Sequence, residues 1–127
     1  MKLFSILVFS GAVLLSSCKH DPITAGNNPV PVDSLCFERD VLPIFQINCA
    51  KSGCHDDITA EEGFRATSYA SIIKKIKPNS LSGSKIWEVI HDSGEDRMPP
   101  PPNPPLTADQ VNTIKTWIME GAFSDCK

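Results

Sequence analysis

The sequence predicts an all-α domain of about four short helices gathered around a bound group, and three observations lead there. Apolar residues recur at helical spacing in several separate stretches. No stretch alternates apolar and polar residues as a half-buried strand does. Loops also outweigh helices by more than a self-sufficient core of this size tolerates, and an internal apolar group would make up that deficit.

The 127 residues suffice for one domain of ordinary size. Ahead of it, Met1 to Ser17 reads as a signal peptide. Lys2 supplies the positive charge, and Leu3 to Leu15 form an apolar run too short and too early to span a membrane. Small residues then precede a cysteine in Leu15-Ser16-Ser17-Cys18, which resembles a bacterial lipoprotein box and would make Cys18 the lipidated first residue of the mature chain. An ordinary cleaved signal with an incidental cysteine is the plainer alternative. Residues 18–35, with Pro22, Gly26, Pro29 and Pro31 and no periodicity, read as a flexible tether reaching roughly 20–25 Å. His20 falls in that tether and is expected in solvent. The folded domain is then 36–127.

Asp40 to Cys49 is the first helix candidate. Asp40 is placed to cap it, Pro43 fits only in the first turn, and Val41, Leu42, Phe45 and Cys49 share one face. Asp56 to Ala66 is polar and without period, and Phe64 within it is open to a core or a cofactor-contact role. Thr67 is expected to cap Ser68 to Lys77, with Ala70, Ile72, Ile73 and Ile76 inward, Lys74, Lys75 and Lys77 in water, and Pro78 as the stop. Ser84 caps a short helix through His91 with Ile86, Val89 and Ile90 inward. Trp87 either packs in the core or turns its indole N–H to a cofactor carboxylate. Six prolines between Pro99 and Pro105 exclude helix and predict a stiff polyproline-like excursion. In the last helix, Thr107 to Glu120, Thr107 and Gln110 form a capping box, Val111, Ile114, Trp117 and Ile118 make the buried face, and Gly121 ends it.

The chemistry lies in Cys49-Ala-Lys-Ser-Gly-Cys54-His55. Two thiols followed at once by a histidine attach haem c: each thiol can add to one haem vinyl group, and the adjacent imidazole ligates the iron. Four residues rather than two separate the cysteines, so the extra pair must bulge outward, for which Ser52-Gly53 is suited. A disulfide leaves the histidine unexplained, and zinc would want a second pair of soft ligands that the chain does not offer.

Two cysteines remain, Cys36 and Cys126, flanking the domain. In an oxidising compartment they suggest a bridge from the entry of the first helix to the exit of the last, worth on the order of 4–5 kcal/mol in the chain-entropy model. Two free thiols is the alternative. For the second iron ligand the candidates are Met98, Met119 and His91. Met98 is favoured because the proline run can hold it in place, His91 is its rival, and Met119 points away from the inward face.

Taken in order, Asp40-Val-Leu-Pro-Ile-Phe45, Cys49…Cys54-His55, Ser84-Lys-Ile-Trp87, Met98-Pro-Pro100, Pro105-Leu-Thr-Ala-Asp-Gln110, Trp117-Ile118 and Gly121-Ala122 resemble a small monohaem class I cytochrome c, closest to the planctomycete-type domains. The resemblance spans roughly residues 36–126. It implies a cytochrome c-like fold with crossing first and last helices, one covalent haem c, His55 as proximal ligand and Met98 as distal ligand.

The expected function is electron transfer, since iron with two protein ligands has no open site. No carboxylate pair, nucleophile–base pair or phosphate loop argues for an enzyme. The competing readings are a haem peroxidase or gas sensor in which Met98 detaches, and a haem-free, disulfide-held envelope module. The formal net charge of −3, or −4 without Lys2, offers no basic field for nucleic acid. The expected partners are redox proteins of the cell envelope. The expected setting is a monomeric domain lipid-anchored to a bacterial membrane, periplasmic or at the outer membrane.

Overall fold

A computed structural model describes residues 35–126. The signal peptide, Cys18 and the tether lie outside the described residues, apart from Leu35. Among the described residues there are four α-helices and no strand; the single isolated bridge joins Lys77 and Ser80. None of these helices is long and apolar enough to cross a membrane.

The chain enters earlier into helix than the sequence predicts. A π-helical turn, Phe37–Val41, runs directly into α1, Leu42–Asn48. Asp40 therefore does not cap α1 but sits inside the turn and reaches back: its Oδ2 accepts from the Cys36 N–H at 2.8 Å. The Arg39 guanidinium bonds the same carboxylate, and with the Cys36 N–H it holds Asp40 below its ordinary value against the opposing effect of burial. Pro43 occupies the first turn of α1, where its missing N–H loses nothing. Phe37, Val41, Leu42 and Phe45 are buried, giving the stripe that anchors this segment.

The second helix is shorter than expected. α2 spans Tyr69–Ile72 and continues as a 3₁₀ turn, Ile73–Lys75. Thr67 does not cap it; its hydroxyl donates to Asp57 Oδ1 at 2.6 Å, and Ser68 stands at the N-cap without a side-chain bond. The inward face is also rotated from the expected one: Ala70 is exposed and Tyr69 half-buried, while Ile72 and Ile76 are buried. α3, Lys85–His91, follows a turn that Ser84 organises from a fully buried position. Ser84 is not a side-chain cap: its Oγ accepts from the Lys77 N–H at 2.9 Å and donates to the Ser80 carbonyl at 2.6 Å. These bonds satisfy a hydroxyl that burial would otherwise penalise.

α4, Ala108–Met119, has the capping box in full: Gln110 N–H donates to Thr107 Oγ1 at 3.3 Å and Thr107 N–H to Gln110 Oε1 at 2.9 Å. Ile114, Trp117 and Ile118 are buried; Val111 is only half-buried. Gly121, at φ +107°, stops the helix in a conformation open to glycine, and a Cβ there would strike the Phe123 ring.

The two ends of the domain meet in an aromatic cluster. Phe37 lies 5.3 Å from Trp117 and 5.1 Å, edge-on, from Tyr69. The polar atoms of this cluster are satisfied: Tyr69 OH donates to the Ala122 carbonyl and Trp117 Nε1 to the Phe123 carbonyl, both at 2.9 Å. Cys36 and Cys126 are bonded beside it, with Cα atoms 4.2 Å apart. The π turn thus packs on α4 through Phe37 and Trp117, bringing first and last helical segments together as a cytochrome c-like fold requires.

Candidate functional site

Away from that closed end, two adjoining clefts open between the cysteine loop, α3 and the proline loop. Their volumes, mouths included, are about 620 and 570 Å³, within the range of small-molecule and cofactor sites. The first is walled by Phe45, Phe64, Ile86, Val89 and Ile90, with Glu62, Lys75 and Lys85 among its lining. The second runs between Asn48, Lys51, Gly53 and Cys54 on one side and Pro99, Pro100 and Asn103 on the other. Cys49, His55 and Met98 line both.

The cysteine loop leaves the C-terminus of α1, where Cys49 N–H and Ala50 N–H both donate to the Phe45 carbonyl. The spacer bulges as the spacing predicts. Cys54 N–H closes a turn on the Lys51 carbonyl at 2.9 Å, Lys51 to Gly53 are exposed, and Gly53 takes φ +82°. His55 N–H returns to the Cys49 carbonyl at 3.2 Å, so thiol and imidazole are joined by backbone as well as sequence.

Asp56 organises the turn beyond the histidine. Its carboxylate accepts from the N–H groups of Gly53, Ile58 and Thr59 and from the Thr59 hydroxyl. These bonds, the Thr59 N–H foremost, lower its pKa from the ordinary carboxylate value. Sequence reasoning passed over Asp56; its signal is the aspartate that bonds backbone two and three residues on, as Asx turns do.

His55 is held by Phe64, whose ring lies 5.0 Å from the imidazole, and by Ala66 N–H donating to its carbonyl at 2.8 Å. Its Nδ1 is buried with no hydrogen-bond partner. A buried polar nitrogen left so costs roughly 1–3 kcal/mol. Burial pushes the Cys49 thiol up to about 11; the neighbouring Cys54 adds to this and Lys51 opposes it. Cys49 is therefore a neutral thiol at physiological pH. Cys49 and Cys54 are not bonded to each other.

Met98 is fixed at its backbone. Its N–H donates to the Val89 carbonyl of α3 at 2.9 Å, Pro99 is buried behind it, and Asn103 N–H closes a turn on the Pro100 carbonyl at 3.0 Å. That turn corrects the expected straight excursion: the run folds back on itself, with cis bonds at Met98–Pro99 and Pro101–Pro102. The rivals sit elsewhere. His91 is exposed and stacked on Trp87, ring centroids 5.2 Å apart, and lines neither cleft; Met119 is 47 % exposed on α4. Trp87, half-buried in that stack, belongs neither to the deep core nor to the cleft wall.

Glu61 and Glu62 are exposed and line the second and first clefts respectively. Lys75 and Lys85, read as a solvated face and a helix start, stand at the first cleft. The donor set fits haem c: two thiols and an imidazole on one loop, a thioether on another, and apolar walls between. No group of three His, Cys, Asp or Glu side chains converges among the described residues in the manner of a metal cage.

A family model described as planctomycete cytochrome C matches residues 52–102. The matched stretch includes Cys54, His55 and Met98, and Cys49 lies just ahead of it. No curated protein and no solved structure matches the chain.

Proposed function

We propose that this chain, whose residues 52–102 match the planctomycete cytochrome C family model, is a monohaem electron carrier of the bacterial cell envelope, held to a membrane by a lipid on Cys18. The observation that carries the reading is the convergence of Cys49, His55 and Met98 on both clefts. Haem, when bound, supplies a one-electron iron couple. Cys49 and Cys54 would hold it covalently, His55 would be the proximal ligand and Met98 the distal one.

The chain's own part is to place and shield. Phe64 fixes the imidazole face, and the Met98 N–H bond to Val89 ties the distal loop to α3. Phe45, Ile86, Val89 and Ile90 would shield the group from water, and a histidine and a methionine as its two ligands would favour a higher potential than two histidines. A distal loop tied at Val89 and Asn103 also argues for retained ligation, and so for an electron carrier over a peroxidase or gas sensor.

The spectrum tests this. Purified ferric protein is expected to be low-spin, with a red-end band from Met–iron ligation, and the ferrous form to refuse carbon monoxide. Met98→Ala removes the band and lowers the potential, while His91→Ala and Met119→Leu change neither. A high-spin wild-type protein that binds carbon monoxide readily would overturn the carrier reading. For the anchor, Cys18→Ser is expected to move the protein out of the membrane fraction; unchanged fractionation and mobility would remove Cys18 as the lipid site.

A further inference from the structure

The carboxylate of Asp56 joins two exposed turns that packing does not hold. Upstream, the spacer between the paired cysteines, Ala50 to Gly53, is two residues longer than the usual attachment pattern. Lys51 to Gly53 are exposed, and a Cβ added at Gly53 would meet nothing within 4 Å. Downstream, Ile58 is 94 % exposed. Hydrogen bonds from Asp56 take the place of apolar contact on both sides. Its Oδ2 accepts from the Gly53 N–H at 3.2 Å and its Oδ1 from the Ile58 N–H at 2.9 Å, with the Thr59 N–H and hydroxyl as further donors.

Cys54 and His55 lie between these two turns. The downstream turn is tied to them by backbone, with Glu61 N–H on the Cys54 carbonyl at 2.9 Å and Ala66 N–H on the His55 carbonyl at 2.8 Å. Cys49 is carried instead by the end of α1, its N–H on the Phe45 carbonyl at 2.8 Å. Backbone closes the loop at its base, His55 N–H on the Cys49 carbonyl at 3.2 Å, but leaves the Gly53 N–H to a side chain. Each residue added to a spacer brings two soft dihedrals. Two thiols that must meet two fixed points of one rigid group lose reactive geometry as that freedom grows. The other side-chain bond seen at the spacer, Lys51 Nζ to Asn103 Oδ1 at 3.3 Å, ends a long side chain and does not hold the backbone.

We propose that Asp56 is a positioning residue for covalent attachment: it locks the four-residue spacer so that the Cys49 and Cys54 thiols can both reach one haem. This rests on the reading of the clefts as a haem site. Each thiol bonds its sulfur to one vinyl carbon and passes its hydrogen to the other, so nothing is oxidised, reduced or released. Asp56 takes no part in that addition and acts through the Gly53 N–H and the turn beyond His55. Its role exists because the spacer is long; a two-residue spacer does not call for it.

The test uses full-length protein exported from a host that makes c-type cytochromes. Alkylation of the denatured, unreduced protein followed by peptide mass mapping counts the chains with two thioethers and those with one thioether and a free thiol at Cys49 or Cys54. Urea midpoints are measured alongside. Wild type is expected to carry two thioethers, Asp56→Ala to lose one in most chains, and Asp56→Asn, which keeps one carbonyl acceptor, to fall between. Asp57→Asn, whose carboxylate bonds the Thr67 hydroxyl and not the spacer, is expected to match wild type. Removing Lys51 and Ser52 restores the two-residue spacer, and Asp56→Ala in that shortened chain is expected to lose nothing. Two thioethers throughout Asp56→Ala, with or without a lower urea midpoint, overturn the role, as does an equal loss in Asp57→Asn or in the shortened chain. Should Asp56→Ala not accumulate, Asp56→Asn decides alone, and full attachment there overturns it too. A colourless wild-type protein removes the haem reading itself, whereas a coloured one with Asp56→Ala fully attached removes only the role of Asp56.

Discussion

The closed end of the domain and its open end are built from the same kinds of residue to opposite purposes. At the closed end Phe37, Tyr69 and Trp117 interlock, and each polar handle finds a carbonyl. At the open end Phe45, Phe64, Ile86 and Ile90 wall a cleft, and His55 Nδ1 and Arg97 Nη1 are buried without partners. Native interiors rarely leave such groups unpaired. Stability is thus concentrated away from the clefts. Substitutions at the closed end should change unfolding free energy with little effect on ligand signatures, and substitutions at the open end the reverse.

The largest effect expected at the closed end comes from the bridge. Replacing Cys36 and Cys126 together by serine is expected to destabilise by about 4–5 kcal/mol in the chain-entropy model, read as a lower urea midpoint. Trp117→Ala comes next at roughly 3–5 kcal/mol, since it empties a fully buried site and removes the indole N–H bond to the Phe123 carbonyl. In both, the haem that does attach should show an unaltered Met–iron band. A lost band with unchanged stability would erase the distinction between the ends.

A smaller effect sharpens the comparison through pH. In apo-protein the Cys49 thiol keeps its proton when folded until about 11, against 9.0 for an ordinary thiol. Between those values the unfolded chain has lost a proton that the folded chain retains, so stability falls as pH rises through the window. Discounted for a partly exposed side chain, the loss is roughly 1–2 kcal/mol. A thioether carries no such proton, so this part of the pH dependence should be absent from holo-protein; urea titrations at pH 8 and about pH 11 compare the two. The smallest effect belongs to Thr107→Ala, roughly 1 kcal/mol from one capping hydroxyl, with no change at the site.

What the sequence made legible was local. Thr107 and Gln110 cap α4 because a capping box needs only its own four residues. Pro43 could be placed in a first turn because proline fits little else. Cys49, Cys54 and His55 could be read as one cluster because they are neighbours in the chain, and the fold sets all three along the second cleft. Residues whose role is set by distant partners were not readable. Thr67 looked like a cap until Asp57, ten residues earlier, claimed its hydroxyl. Ser84 looked like another until burial turned it to Lys77 and Ser80. Tyr69 replaced Ala70 on the inward face because its ring packs on Phe37 and its hydroxyl reaches Ala122, contacts no helical period encodes. Arg97 carries no local signal in the sequence, and only the fold buries one of its nitrogens.

The central claim is that the open end is built to hold haem through the Cys49–His55 loop. The most direct measurement is the haem absorbance that survives acid–acetone extraction, from protein exported in a host able to make c-type cytochromes. One covalent haem per chain is expected for wild type, none for Cys49→Ser with Cys54→Ser, and little matured protein for His55→Ala. A colourless wild-type protein, or a His55→Ala protein as red as wild type, would contradict the account.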